Sequence, residues 1–197
     1  AAGNLLGAEQ SGFISDMGFE TYQKILAEAM EELGVETGIT TKQSRETFVE
    51  DCTVETDQPA LIPDDYIDVT AEKIRIYKQL DGLMDDRDID RLGRQLEDRF
   101  GPMPQEVKNL LTVVKIRNSG ARTGFEKIII KNGMQIMFFV SNPMSGYYQS
   151  RQFERVIGKV NDYPAIFKVN QDKGKLRTVS RGVTTLETAL KVLQRLQ

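Results

Sequence analysis

At Glu126 the period of the apolar residues changes. From Thr70 to about Ser119 they recur at steps of three and four, the spacing of one face of a helix. Beyond Glu126, the run Ile128-Ile129-Ile130, the dipeptide Asn132-Gly133 and the stretch Met134 to Val140 fit a β-hairpin. Asn and Gly tolerate the positive φ angles of a type I′ turn, whose twist matches that of the flanking strands. Helices that precede strands and then alternate with them constrain the chain to an α+β fold, with helices packed on a small, mainly antiparallel sheet.

The remaining elements follow from the same periods. Ile74, Tyr77 and Leu80 predict a helix over Thr70 to Leu83; Ile89, Leu92, Leu96 and Phe100 predict a second that stops at Gly101 as a left-handed C-cap. Pro104 suits a first helical position, and Val107, Leu110, Leu111 and Val114 carry a third helix to about Ser119. After the hairpin comes a helix from Ser150 to Val160 with Phe153, Val156, Ile157 and Val160 inward. A strand pair follows, Ala165 to Asn170 and Lys175 to Ser180, joined by Gln171-Asp172-Lys173-Gly174. Thr184 and Glu187 have the spacing of a capping box opening the last helix, which turns Leu186, Leu190 and Leu193 to one side. Upstream, Phe19, Tyr22, Leu26, Ala29, Met30 and Leu33 form another helical stripe, stopped by Gly34, and residues 35–60 read as a linker with one short strand, Glu46 to Val54. Three segments result: a helical extension over 1–34, the linker over 35–60, and a C-terminal domain over 61–197.

Composition removes several chemistries. Cys52 is the single cysteine and histidine is absent, so an internal disulfide, a multi-cysteine zinc site, Ser-His and Cys-His nucleophile pairs and His-metal sites are unavailable in these 197 residues. No apolar run approaches the roughly 20 residues of a membrane span and no signal-like start is present, which predicts a cytoplasmic chain with no membrane partner. The acidic run Asp85-Asp86-Arg87-Asp88-Ile89-Asp90 lacks the glycine and closing glutamate of a calcium loop, and its acids suit the first turn of a helix instead. No Gly-Lys-Ser/Thr phosphate loop occurs, so neither catalytic residues nor bound cofactors nor metals are expected in these residues.

The net charge of −3 conceals a division: residues 1–60 carry 12 acids and 3 bases, whereas residues 115–181 carry 4 acids and 13 bases. Lys127, Lys131, Arg151, Arg155, Lys159, Lys168, Lys173, Lys175, Arg177 and Arg181, with Tyr147, Tyr148 and Phe153 among them, leave open a nucleic-acid-binding module built on the basic half. The plainer alternative is that these lysines and arginines solvate strand faces.

Two blocks of residues carry a family resemblance. Gly3-Asn4-Leu5-Leu6-Gly7 followed by Glu9-Gln10-Ser11-Gly12 resembles the end of the translocation motif of the bacterial transcription-repair coupling factor (Mfd) family. Leu61-Ile62-Pro63-Asp64-Asp65-Tyr66-Ile67, Ile76-Tyr77-Lys78 and Asp98-Arg99-Phe100-Gly101-Pro102 resemble the start of that family's C-terminal domain. The resemblance implies a piece of an ATP-dependent double-stranded DNA translocase that displaces stalled RNA polymerase and recruits nucleotide excision repair. Residues 1–34 would hold the tail of the motor's translocation motif, with Asn4, Glu9 and Gln10 its remnant; ATP and magnesium would be bound outside these residues. The domain over 61–197 would then be non-catalytic and autoinhibitory, docking on an N-terminal UvrB-like module of the same protein and masking its UvrA-binding surface. On that resemblance Asp98 is the leading interface residue, with Glu97 second and Arg99 beside them; Gln95 is uncharged where an acid would strengthen the contact.

Overall fold

The structure, a computed structural model, describes residues 47–197. Asn4, Glu9, Gln10 and the helix expected over Phe19 to Leu33 lie outside the described residues. The described chain divides into two compact units, residues 59–111 and residues 47–58 with 112–197. It contains five α-helices and five strands, the α+β organisation that the change of period predicts.

The first unit holds α1 (Thr70–Asp81), α2 (Asp86–Phe100) and the first part of α3 (Gln105–Thr123). The acidic run opens α2: the Asp85 carboxylate accepts from the Arg87 N–H at 2.8 Å, and Asp86 and Asp88 fill the first turn, where they offset the positive end of the helix dipole. Its buried stripe is Ile89, Leu92, Gly93 and Leu96. Gly93 is needed for close approach, because a Cβ there would lie 2.9 Å from Leu111 Cδ1 on α3. At the other end Gly101 has φ +90 and ψ −174, an extended region open essentially to glycine rather than the left-handed helical cap expected, while its N–H still closes on the Glu97 carbonyl at 3.0 Å. Pro104 stands one position earlier than expected, just before α3, with its carbonyl accepting from Val107 and Lys108. The helix also runs beyond Ser119, to Thr123.

The second unit is a five-stranded sheet in the order β1-β2-β3-β5-β4, comprising β1 (Thr53–Thr56), β2 (Phe125–Lys131), β3 (Met134–Phe139), β4 (Lys168–Asp172) and β5 (Lys175–Arg181). Only β1 runs parallel to its neighbour, pairing Thr53 with Lys127 and Thr56 with Ile130; the linker strand, which shares only Thr53 and Val54 with the expected Glu46–Val54 and runs on to Thr56, is an edge of the sheet. The β2–β3 turn has Asn132 at φ 55 and Gly133 at φ 73, as a type I′ turn requires. The second hairpin is tighter than the four-residue loop expected: Asp172 still pairs with Lys175, leaving Lys173 (φ 53) and Gly174 (φ 81) as a two-residue turn of the same kind. Its first strand starts at Lys168 because Tyr163 to Phe167 close a turn onto the Tyr163 carbonyl.

Helix α4 (Arg151–Asp162) is capped by Ser150, and α5 (Leu186–Gln194) by Thr185, whose hydroxyl accepts from the Thr188 N–H at 3.1 Å. The cap is therefore Thr185 with Thr188, one residue along from the Thr184–Glu187 pair; Glu187 instead faces Lys191 at 3.7 Å. All three helices of this unit lie on one side of the sheet. Gly120 of α3 sits against Ile128 and Cys52, Phe153 of α4 meets Phe139 edge-on at 5.7 Å, and the Gln135 amide on β3 donates to the Ala189 carbonyl of α5 at 3.2 Å.

Candidate functional site: the exposed edge of helix α2

The outward face of α2 carries Asp90, Arg91, Arg94, Gln95, Glu97, Asp98 and Arg99, all exposed. Its C-terminal end is held by three contacts. The Tyr66 hydroxyl donates to the Gly101 carbonyl at 2.8 Å, and the Tyr66 and Phe100 rings lie 5.9 Å apart. The Arg99 guanidinium stacks over the Phe100 ring at 4.8 Å and pairs with Glu72 of α1 at 2.6 Å. Glu72 simultaneously holds Arg75 at 2.6 Å, and these hydrogen bonds, that of Arg75 first, pull its carboxyl below the usual range.

The three sequence-selected residues thus differ in what they have left to offer. Arg99 is committed to Glu72 and to the ring beneath it. Glu97 accepts from the Met103 N–H at 3.3 Å, tying the following loop to the helix, and its charge together with burial raises the Tyr66 pKa, burial being the larger cause. Asp98 has no hydrogen bond or ion pair from its side chain among the described residues, so its carboxylate is fully available to an external cation on a helix end that its neighbours hold rigid. Gln95 is exposed one turn earlier on the same helix.

Spacing alone did not reveal the support beneath this helix. Asp64 is ion-paired with Lys73, whose side chain is 2 % exposed while that of Asp64 is 68 % exposed. The Tyr77 hydroxyl accepts from the Ile62 N–H at 3.0 Å. Segment 62–67 is therefore pinned at Ile62, Asp64 and Tyr66, and the tyrosines and the buried lysine within an apolar helical period were the only sequence signal.

The basic half is not one surface. Lys127, Lys131, Arg177 and Arg181 project from strands, while Arg151 and Arg155 lie on α4, on the side of the sheet that the helices cover. Tyr147 is fully buried, with its ring 5.2 Å from Phe153 and 5.3 Å from Tyr148, so these rings pack against one another rather than form a platform for bases. Among the described residues no helix is long and apolar enough to cross a membrane.

Comparison with known proteins gives this geometry its context. The TRCF domain family matches residues 56–150, which include α1 to α3, the first hairpin and Asp98. The transcription-repair-coupling factor of Bacillus subtilis is 40 % identical over 116 residues, covering 59 % of this chain and 9 % of that protein. That of Escherichia coli is 32 % identical over 132 residues (64 % and 11 %), and that of Rickettsia bellii 29 % identical over 171 residues (86 % and 14 %). The chain therefore spans only about a tenth of the length of these relatives. A crystal structure of the C-terminal domain of transcription-repair coupling factor superposes with a TM-score of 0.60 at 20 % identity, over 74 % of this chain and 92 % of that one, and shares its fold. The chain belongs to the transcription-repair coupling factor family and corresponds to its C-terminal region.

Proposed function

We propose that residues 61–197 form a non-catalytic, autoinhibitory module of a transcription-repair coupling factor, and that Asp98 is its main docking group. The whole protein would be an ATP-dependent double-stranded DNA translocase acting on stalled RNA polymerase. The module would hold it closed by setting the exposed edge of α2 against basic residues of the N-terminal UvrB-like module, hiding the surface that recruits UvrA. The observation that carries the reading is the contrast on α2: Arg99 and Glu97 are engaged within their own unit, whereas the neighbouring Asp98 carboxylate has no partner among the described residues and stands on a braced helix end. A polar, charge-complementary contact of this sort suits reversible opening, because it shifts the closed-open equilibrium only by the difference in contacts between the two states. Glu97 would assist, and Gln95 would leave the contact weaker than an acid at that position.

The test is Asp98→Lys in the full-length protein, read by UvrA binding and basal ATPase. Loss of the closed state is expected to raise UvrA affinity by about tenfold, corresponding to roughly 1.4 kcal/mol of coupling. Unchanged UvrA binding together with unchanged ATPase would overturn the assignment.

A further inference from the structure

The face of the sheet opposite the helices has its own design. Every side chain it presents is partly or fully exposed, including Glu55, Lys127, Ile129, Lys131, Met134, Ile136, Phe138, Arg177, Val179 and Arg181. The register sets these residues in rows. Ile129, Ile136 and Val179 lie side by side across β2, β3 and β5; Phe138 is flanked by Lys127 and Arg177; Met134 is flanked by Lys131 and Arg181. An apolar stripe along β3, widened at its centre, is thus bounded at its four corners by cations. With about 3.3 Å per residue and about 4.8 Å between strands, the corners stand roughly 13 Å apart along the strands and roughly 10 Å across them.

We infer that this face docks an acidic amphipathic helix of a partner protein, lying along β3 with its apolar stripe on Met134, Ile136 and Phe138 and its flanking carboxylates on the four corner cations. The width decides the shape of the occupant: a helix with its side chains is about 10 Å across, so acids on both shoulders of an apolar stripe reach both cation rows together. The charge decides its sign. Arg181, and Lys168 beside Val179, have no ion-pair partner among the described residues, whereas Glu55 serves both Lys127 at 3.1 Å and Lys131 at 3.8 Å, leaving that side still net positive. Nucleic acid fits less well. A phosphate backbone would meet Glu55 and Asp172, the latter 3.8 Å from Arg177, and would gain nothing from the aliphatic centre; Phe138 is the one aromatic ring available for stacking on this face. The surface is independent of Asp98, which belongs to the other unit.

The test titrates the full 197-residue chain into a fluorescently labelled designed peptide of about 18 residues, whose leucine stripe is flanked on both sides by glutamate, followed by anisotropy. Saturable binding with Kd on the order of 10 μM is expected, about tenfold weaker for a peptide with lysine in place of glutamate and for a scrambled sequence. Lys131→Glu with Arg181→Glu, both exposed, should weaken binding by about tenfold, and Ile136→Ser should do so without reversing any charge. Arg151→Glu with Arg155→Glu, the same charge change on α4, should leave it within about twofold; circular dichroism checks that each variant is folded. Absent peptide binding, equal binding of the lysine peptide, or insensitivity to the face variants would overturn the inference. Binding of duplex or single-stranded nucleic acid in place of the peptide, lost in the Lys131–Arg181 variant, would assign the face to the other class of partner and overturn it equally.

Discussion

The Tyr147 ring occupies the space where a side chain at Gly124 would be: a Cβ there would lie 2.3 Å from ring carbons Cε1 and Cζ, and the Tyr147 hydroxyl donates to the Thr123 carbonyl at 2.9 Å. Gly124 also has φ +107, which L side chains rarely adopt, and it joins α3 directly to β2. The junction between helix and sheet depends on this one absence of a side chain. Gly124→Ala is therefore expected to destabilise the chain by about 3 kcal/mol or more, since backbone strain and a buried clash add. Tyr147→Phe keeps the ring packing and leaves one buried carbonyl short of a donor, at a cost of about 1–2 kcal/mol. Urea unfolding of the two variants measures both, and a Gly124→Ala protein as stable as the parent would refute the account of this junction.

Lys73 and Asp64 divide their exposure unequally, with a buried ammonium group reaching a surface carboxylate. Asp64→Asn removes the charge that compensates the ammonium and is expected to cost about 1–3 kcal/mol. Lys73→Met, which buries a similar volume without a charge, should cost less or nothing. The order of the two midpoints in urea checks this, and a Lys73→Met variant much the weaker of the two would contradict it.

How much of this was legible in the sequence differs by element. The β2–β3 hairpin was, because Asn132-Gly133 admits few backbone conformations and sits between two apolar strands. The second hairpin was read too loosely: Asp172 is polar and exposed to the turn, yet pairing with Lys175 is a backbone matter on which composition is silent. The parallel pairing of β1 with β2 joins residues about 74 positions apart, Thr53 with Lys127, and nothing local in Thr53–Thr56 encodes that partner. At the candidate site, the exposure of Asp98 followed from the helical period, since Leu92 and Leu96 fix which side is inward. The commitment of Arg99 to Glu72, 27 residues earlier, could be anticipated only as a pairing with some carboxylate. The corner cations of the open sheet face were all named as basic residues, but only the cross-strand register shows that Lys127, Lys131, Arg177 and Arg181 surround one apolar patch.

Glu72 gives the α2 edge a pH dependence with a definite sign. Its carboxyl is shifted below the usual 4.5 chiefly by the hydrogen bond from Arg75, which together with a lesser contribution from Arg99 outweighs the opposing effect of burial. A group whose folded pKa is depressed binds protons more readily when unfolded, so its stabilising contribution is complete above its ordinary pKa and is lost as the pH falls through the folded value. Stability of the parent should therefore decline as pH falls from about 5, and Glu72→Gln should be less stable than the parent at neutral pH, with the gap narrowing below about pH 4.5. The effect is modest, because exposed pairs are screened by solvent and salt. The same substitution releases Arg99 from Glu72, so, on the docking role proposed for Asp98, in the full-length protein it should also loosen the helix end that presents Asp98 and raise UvrA binding, by less than Asp98→Lys does. Urea midpoints of parent and Glu72→Gln at pH 7, 5 and 4 decide the first part, and a gap that widens as pH falls would show that the Arg75–Glu72–Arg99 bridge is not what holds this edge.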